Sequence, residues 1–278
     1  MVESCLDKKL YSLKRILSSL DSIVVALSGG VDSAFLTRVA AQTLPGRVVA
    51  LSVQTFLQEE DDMQAATRVA ASCGIPHQVI PVDLDPELLR SNPPDRCYHC
   101  KKALFAAVRT EAEKLGSRWV VEGSNIDDEA DYRPGLKALQ ELGVRSPLQE
   151  AHLAKHEIRS LACCLGFEEW DRPARPCLAS RFGFGTEISV ARLDQVREAE
   201  AWLKDQGLEQ VRVRYHGELA RIEVGPGERS RFFSTDFQDG VSRRLKKLGF
   251  AYITLDLEGY RTGSMNVSFD PGRNIDNG

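Results

Sequence analysis

The stretch Ser28-Gly29-Gly30-Val31-Asp32-Ser33 has the residue types and spacing of an anion site. Two adjacent glycines let a backbone turn approach a phosphate closely, and the unpaired N–H groups of a first helical turn point at it. Ser28 and Ser33 add hydroxyl donors. Asp32 is out of place beside a phosphate unless a divalent cation such as Mg²⁺ bridges the two. The cysteines form a second group of candidates. Cys97-Tyr98-His99-Cys100 sets two thiols at a spacing that can share one metal or cluster. Cys177 lies within Arg172-Pro-Ala-Arg175-Pro-Cys177-Leu-Ala-Ser180-Arg181, one thiol amid three arginines. Cationic neighbours favour the nucleophilic thiolate and can also hold a phosphate or an acyl-adenylate. Three readings of the cysteines stand. Cys97, Cys100 and Cys177 could hold a [4Fe-4S] cluster with one iron open to an incoming sulfide, which fits the count best. The same three with His99 could hold zinc, or the thiols could hold no metal. Cys73, Cys163 and Cys164 read as core thiols, the last two within an apolar helix.

The elements that must position these groups alternate. The run from Val24 to Leu27 is apolar enough for a buried parallel strand, and an apolar-periodic helix follows from Ala34 to Ala41. Strands are expected at 47–53, 77–82 and 118–122, with helices at 59–72 and about 101–115. That places Cys97 and Cys100 in a loop before a helix. Strands alternating with helices predict βαβ units and a parallel sheet. Ligands of such sheets bind at the carboxyl ends of the strands. The glycine turn, Ser52 and Gly123-Ser124-Asn125 all fall there. The pattern Pro147-Leu148…Lys155-His156-Glu157-Ile158-Arg159 reads as a loop and a helix whose charges mostly face solvent. Beyond a loop rich in proline and glycine, the order becomes helix (190–206), strands (210–215 and 219–224), helix (239–247), strand (251–257). This is a small α+β unit of ferredoxin-like character. The expected domains are 1–185 and 186–278.

The chain has 278 residues with 42% hydrophobic and 27% charged, which fits a packed globular protein of one or two domains. A net charge of −4 argues against a general nucleic-acid binder. No apolar run is long enough to span a membrane. Met1 to Leu20 is amphipathic rather than signal-like, with Leu6, Leu10, Leu13, Leu17 and Leu20 at helical spacing. Seven cysteines without an export signal predict a cytoplasmic protein whose thiols serve a metal or catalysis rather than disulfides.

The S-G-G-x-D-S string resembles the PP-loop of the ATP-pyrophosphatase superfamily, and it lacks the Gly-Lys-Ser/Thr of a Walker loop. The resemblance implies a Rossmann-like, adenine nucleotide alpha hydrolase-like domain that cleaves ATP between its α- and β-phosphates. Pro176-Cys-Leu-Ala-Ser-Arg181, Asp131-Tyr-Arg-Pro-Gly135 and Arg212-Val-Arg214 sharpen it: nearly the whole chain is similar to the LarE family. In that family, ATP adenylates a carboxylate of pyridinium-3,5-biscarboxylic acid mononucleotide. The cysteine matching Cys177 then attacks to give a thioester. Elimination leaves sulfur on the substrate and dehydroalanine in the protein. Members with an added C-x-x-C use a [4Fe-4S] cluster as sulfur carrier, and Cys97 and Cys100 place this chain with them. By match, Ala26, Ser28, Gly29, Gly30, Asp32, Ser33, Ser52, Gly123 and Arg133 would bind ATP with Mg²⁺. Ser180, Arg181, Glu200, Arg212, Arg214 and Asp236 would bind the substrate or its metal. Two arginines at alternate strand positions face the same way and can fork a phosphate. The resemblance implies a homo-oligomer, with a hexamer as the form to test. Competing readings are tRNA thiolation, which would need a basic RNA-binding surface; amidation, which leaves the cysteines unexplained; and a nucleotide-binding regulatory module.

Overall fold

The computed structural model describes residues 2–129, 134–172, 176–261 and 264–265. In chain order the elements are α1 (Val2–Ser18), β1 (Ile23–Ala26), α2 (Val31–Thr43), β2 (Val48–Gln54), α3 (Glu60–Ser72), β3 (His77–Pro81), α4 (Pro86–Ser91), α5 (Arg96–Lys114) and β4 (Trp119–Val121). They continue with α6 (Pro134–Glu141), α7 (Pro147–Glu150), α8 (Lys155–Cys164), α9 (Val190–Asp205), β5 (Val211–His216), β6 (Leu219–Val224), α10 (Thr235–Lys247) and β7 (Tyr252–Leu255). Two compact units result. One comprises 1–84 and 95–175, the other 85–94 and 176–278. Residues 176–185, expected in the first domain, group with the second unit, as does α4, for which the sequence reading has no element.

The first unit carries the expected parallel sheet, in the order β3-β2-β1-β4. β1 is the centre of it. Its side chains alternate between faces, as the two-residue strand period requires. Ile23 and Val25 join a core with Leu13 and Leu17 of α1, Phe35 and Val39 of α2, and Ile158 of α8. Val24 joins Val108 and Ala112 of α5 and Leu139 of α6 on the other side. The strand order reverses between β1 and β4, so the loops leaving these two strands flank one crevice.

Two local expectations differ from the structure. α5 begins at Arg96, so Cys97 lies in its first turn and Cys100 in its second, rather than in a preceding loop. Asp95 stands at the N-cap, and the two prolines before it end the previous segment. Likewise the sequence reading has no element at 134–141, where Pro134 opens α6: proline at a first helical position lacks only an N–H that has no partner there.

The second unit holds a three-stranded sheet, β5-β6-β7, with β5 antiparallel and β7 parallel to β6. α9 covers β5 through Leu193, Val196 and Leu203, all buried. The decapeptide carrying α4 belongs to this core: Leu89 is buried, and the Asn92 amide donates to the carbonyls of Gly183 and Thr186 at 2.7 and 2.9 Å.

Candidate active site

The loop between β1 and α2 is built as an anion cradle. Gly30 is the N-cap of α2, and no side chain caps the helix, so the first-turn N–H groups are not satisfied by a capping oxygen. Gly29 has φ +78°, and a Cβ there would stand 2.2 Å from the carbonyl oxygen of Asp62. The site therefore demands glycine twice over, once for backbone conformation and once for the approach of the first turn of α3. The two hydroxyls serve the loop itself. Ser33 Oγ donates to Gly30 O at 3.0 Å and accepts from Ser28 N–H at 3.3 Å, while Ser28 Oγ sits 3.0 Å from Ser33 Oγ. Ser52 is buried too. Its hydroxyl donates to Leu27 O, which leaves its oxygen to accept from His77 Nε2 at 2.8 Å. Burial pushes the His77 imidazole down, so it is neutral near pH 7. Ser52 thus ties β2 to the start of the loop. Ala26 ends β1 just before it.

The loop after β4 closes the other wall of the crevice. A Cβ on Gly123 would lie 2.8 Å from Ser33 N, so only glycine permits this contact with α2. Glu122 is buried and organises the turn. Its carboxylate accepts from Ser124 N–H at 3.0 Å, Ser124 Oγ at 2.9 Å and Ser146 Oγ at 2.5 Å.

Asp32 projects from the first turn of α2. Its Oδ2 accepts from Lys155 Nζ at 3.0 Å and from Asn125 Nδ2 at 3.4 Å. Its Oδ1 is buried with no hydrogen-bond partner among the described residues. Burial raises the Asp32 pKa, and Lys155 offsets only part of that. A buried carboxylate oxygen with unused lone pairs beside an anion cradle fits a hard divalent cation. Lys155 corrects the sequence reading of α8 as a mostly solvated face. Lys155 reaches Asp32, Glu157 accepts from Lys9 and from Ala154 N–H, and Arg159 donates to the carbonyls of Trp170 and Arg172. Arg133 and most of the 131–135 segment lie outside the described residues.

The cysteines divide between the units. Cys97 and Cys100 are in the first, one helical turn apart on the same face of α5, Cys97 exposed and Cys100 partly so. Cys177 is in the second and is exposed. No group of three or more His, Cys, Asp or Glu side chains at metal-binding spacing occurs among the described residues. Cys163 and Cys164 are exposed, which overturns their assignment to the core. They sit at the last turn of α8, past the residues that face the sheet (Ile158, Leu161 and Ala162).

In the second unit, the residues expected to meet substrate are largely buried. Arg181 is completely enclosed. Its Nε and Nη2 donate to the two Glu200 oxygens at 2.9 and 2.8 Å, and its Nη1 donates to Pro176 O at 2.7 Å, Cys177 O at 3.2 Å and Ser180 Oγ at 3.2 Å. Burial works to raise the Glu200 carboxyl, but Arg181, Arg212 and the Val213 N–H together hold it below the ordinary carboxylate range. This pair therefore fixes the turn that displays Cys177. Arg212 and Arg214 do share a face of β5. Arg214 donates from Nε and Nη2 to Glu223 Oε2 at 2.9 and 2.6 Å, and Arg212 stacks its guanidinium 5.4 Å from the Tyr260 ring centroid. Glu223, which the sequence reading misses, also accepts from Ser264 Oγ at 2.6 Å. Its signal is its register: it pairs with Arg212 across the β5–β6 ladder. Asp236 is exposed in the first turn of α10.

Comparison with known proteins adds to this geometry. The asparagine synthase family profile matches residues 10–110, the span from α1 through most of α5. Pyridinium-3,5-bisthiocarboxylic acid mononucleotide synthase of Lactiplantibacillus plantarum is 38% identical over 264 residues, 94% of this chain and 95% of that protein. The chain belongs to the LarE family. An uncharacterised Synechocystis protein is 38% identical over 94% of this chain and 98% of its own length. An uncharacterised Methanocaldococcus jannaschii protein is 31% identical over 92% of this chain and 98% of its own. Membership in the LarE family makes the chain an enzyme of the PP-loop type.

Proposed function

We propose that this protein uses ATP to convert a carboxylate of pyridinium-3,5-biscarboxylic acid mononucleotide into a thiocarboxylate. The observation that carries the reading is the buried Oδ1 of Asp32, without a hydrogen-bond partner among the described residues, beside an uncapped helix start, in a chain related to the named synthase over nearly its whole length. The N–H groups of Gly30 to Ser33 hold the phosphates. Asp32 would hold Mg²⁺, which when bound would neutralise charge on the leaving pyrophosphate. The substrate carboxylate oxygen attacks the α-phosphorus, and pyrophosphate departs. Lys155, already at Asp32, supplies a second positive charge to the polyphosphate.

Cys177 is the sulfur-bearing position. Its thiolate attacks the acyl carbon and expels AMP. Removal of the cysteine Cα proton then breaks the Cβ–S bond, leaving thiocarboxylate and dehydroalanine. Cys97 and Cys100 support a second route, in which they join Cys177 in holding a [4Fe-4S] cluster and the chain is not consumed. Their shared face at the start of α5, three residues apart, supports it.

The test follows pyrophosphate, substrate mass and protein mass after incubation with Mg·ATP and the mononucleotide under anaerobic conditions. Replacement of one substrate oxygen by sulfur is expected, with one pyrophosphate per sulfur. Pyrophosphate release without sulfur gain would remove the transfer reading. Cys177→Ser is expected to keep pyrophosphate release and lose sulfur gain. Iron analysis separates the two routes. About four irons per chain, lost in Cys97→Ala, Cys100→Ala and Cys177→Ala, mean the cluster. An iron-free wild type that loses the elements of hydrogen sulfide in one turnover means the sacrificial thiol.

A further inference from the structure

Sequence reasoning groups Arg172 with the arginines around Cys177, but its side chain goes elsewhere. Nη1 donates to the carbonyl of Gly29 in the PP-loop at 2.7 Å, and Nη2 to Asp61 O and Asp62 Oδ1 at the start of α3, both at 3.1 Å. The Arg172 carbonyl is gripped in turn by Arg159 Nη2 at 2.6 Å. The guanidinium is mostly enclosed, with 16% of its side chain exposed.

A trans peptide unit is planar, and its C=O and N–H point in opposite directions. The peptide between Gly29 and Gly30 has glycine on both sides, with φ +78° at Gly29, so its plane meets little steric resistance to rotation. The loop's own hold on it is slight, since the Gly30 N–H reaches Ser28 Oγ only at 3.5 Å. Fixing Gly29 O on one side therefore aims Gly30 N–H to the other, into the cradle.

The geometry points to Arg172 as a positioning residue that locks the Gly29–Gly30 peptide plane so that the Gly30 N–H faces the polyphosphate before ATP arrives. Asp62 holds the guanidinium in place, and the first turn of α3, pressed against Gly29, sets where Asp62 stands. Arg172 acts through the loop and makes no phosphate contact. This inference rests on the PP-loop as the ATP site and is independent of the sulfur chemistry.

The experiment compares the full-length wild type with Arg172→Ala and Arg172→Lys, titrated calorimetrically with Mg·ATP, pyrophosphate and AMP. Losing a donor that preorganises a charge-binding N–H weakens ATP and pyrophosphate by about tenfold or more, with AMP changed by less than about threefold. Lysine keeps the Asp62 pair but cannot serve both sides of the clamp, so Arg172→Lys falls between wild type and alanine. Millimolar guanidinium restores ATP affinity to Arg172→Ala and leaves the wild type unchanged. Equal losses for ATP and AMP, unchanged ATP affinity in both variants, or no rescue by guanidinium would overturn the proposal. A wild type that fails to bind Mg·ATP overturns the PP-loop site itself, and is seen before any variant is made.

Discussion

Asp32 sets function against stability at a single atom. A carboxylate whose folded pKa is raised binds its proton more tightly folded than unfolded. The folded state therefore gains from that proton at low pH, and the gain is lost as pH rises from the ordinary value of 3.8 through the raised folded value. Above that window the ionised group is a net cost to the fold. Asp32→Asn is thus expected to melt higher than wild type at pH 7 in the absence of nucleotide, with the difference shrinking toward pH 4, and to lose Mg²⁺-dependent pyrophosphate release. Thermal melts at both pH values and a pyrophosphate assay check this. A lower melting temperature at pH 7 would contradict the direction of the shift. The Arg181–Glu200 pair behaves in the opposite way. Breaking a buried pair from one side leaves an unpaired charge and costs about 3–5 kcal/mol, so Glu200→Gln should unfold at markedly lower urea than wild type.

At the scale of elements, legibility followed period and punctuation. β1, β2 and β3 were visible as apolar runs and α1 as a leucine stripe, because burial of a continuous face leaves a repeat in the sequence. The cradle was visible because Gly29, Gly30 and Asp32 are chemically odd in one short turn. Lys155, Glu223 and the true partner of Arg172 were not. Each is one charge among many, and its meaning comes from a contact distant in sequence, such as Lys155 with Asp32. Cys163 and Cys164 failed for a related reason: in the last turn of α8, Leu161 and Ala162 take the buried face and leave the two cysteines off it. Exposed thiols at a helix end carry little packing, so Cys163→Ala with Cys164→Ala should change stability by about 0.5 kcal/mol or less. Both cysteines should react with a thiol reagent in the native protein. Protection of the pair until unfolding would return them to the core.

At the scale of the whole chain, the division of labour matches the chemistry proposed. The first unit carries the proposed nucleotide cradle, and the second carries Cys177 and the arginine pairs. The second unit is discontinuous, since α4 belongs to it. A fragment of 176–278 alone would lack Leu89 and the Asn92 amide that caps the Gly183 and Thr186 carbonyls. It should be poorly structured by circular dichroism and gain structure when 85–94 is supplied through a flexible linker. A well-folded bare fragment would show that α4 is an ornament.

That discontinuity also sets a clock. During synthesis the decapeptide of α4 leaves the ribosome about a hundred residues before the strands of its own unit. At about 5–20 residues per second, Leu89 waits on the order of ten seconds without its core. In that interval the first unit gathers its remaining pieces, α5 through α8, past a segment that must stay uncommitted. The brevity of α4, its aspartate cap and its prolines suit that wait: they hold a short local shape while offering a passing chain only the adjacent Leu88 and Leu89 to misplace.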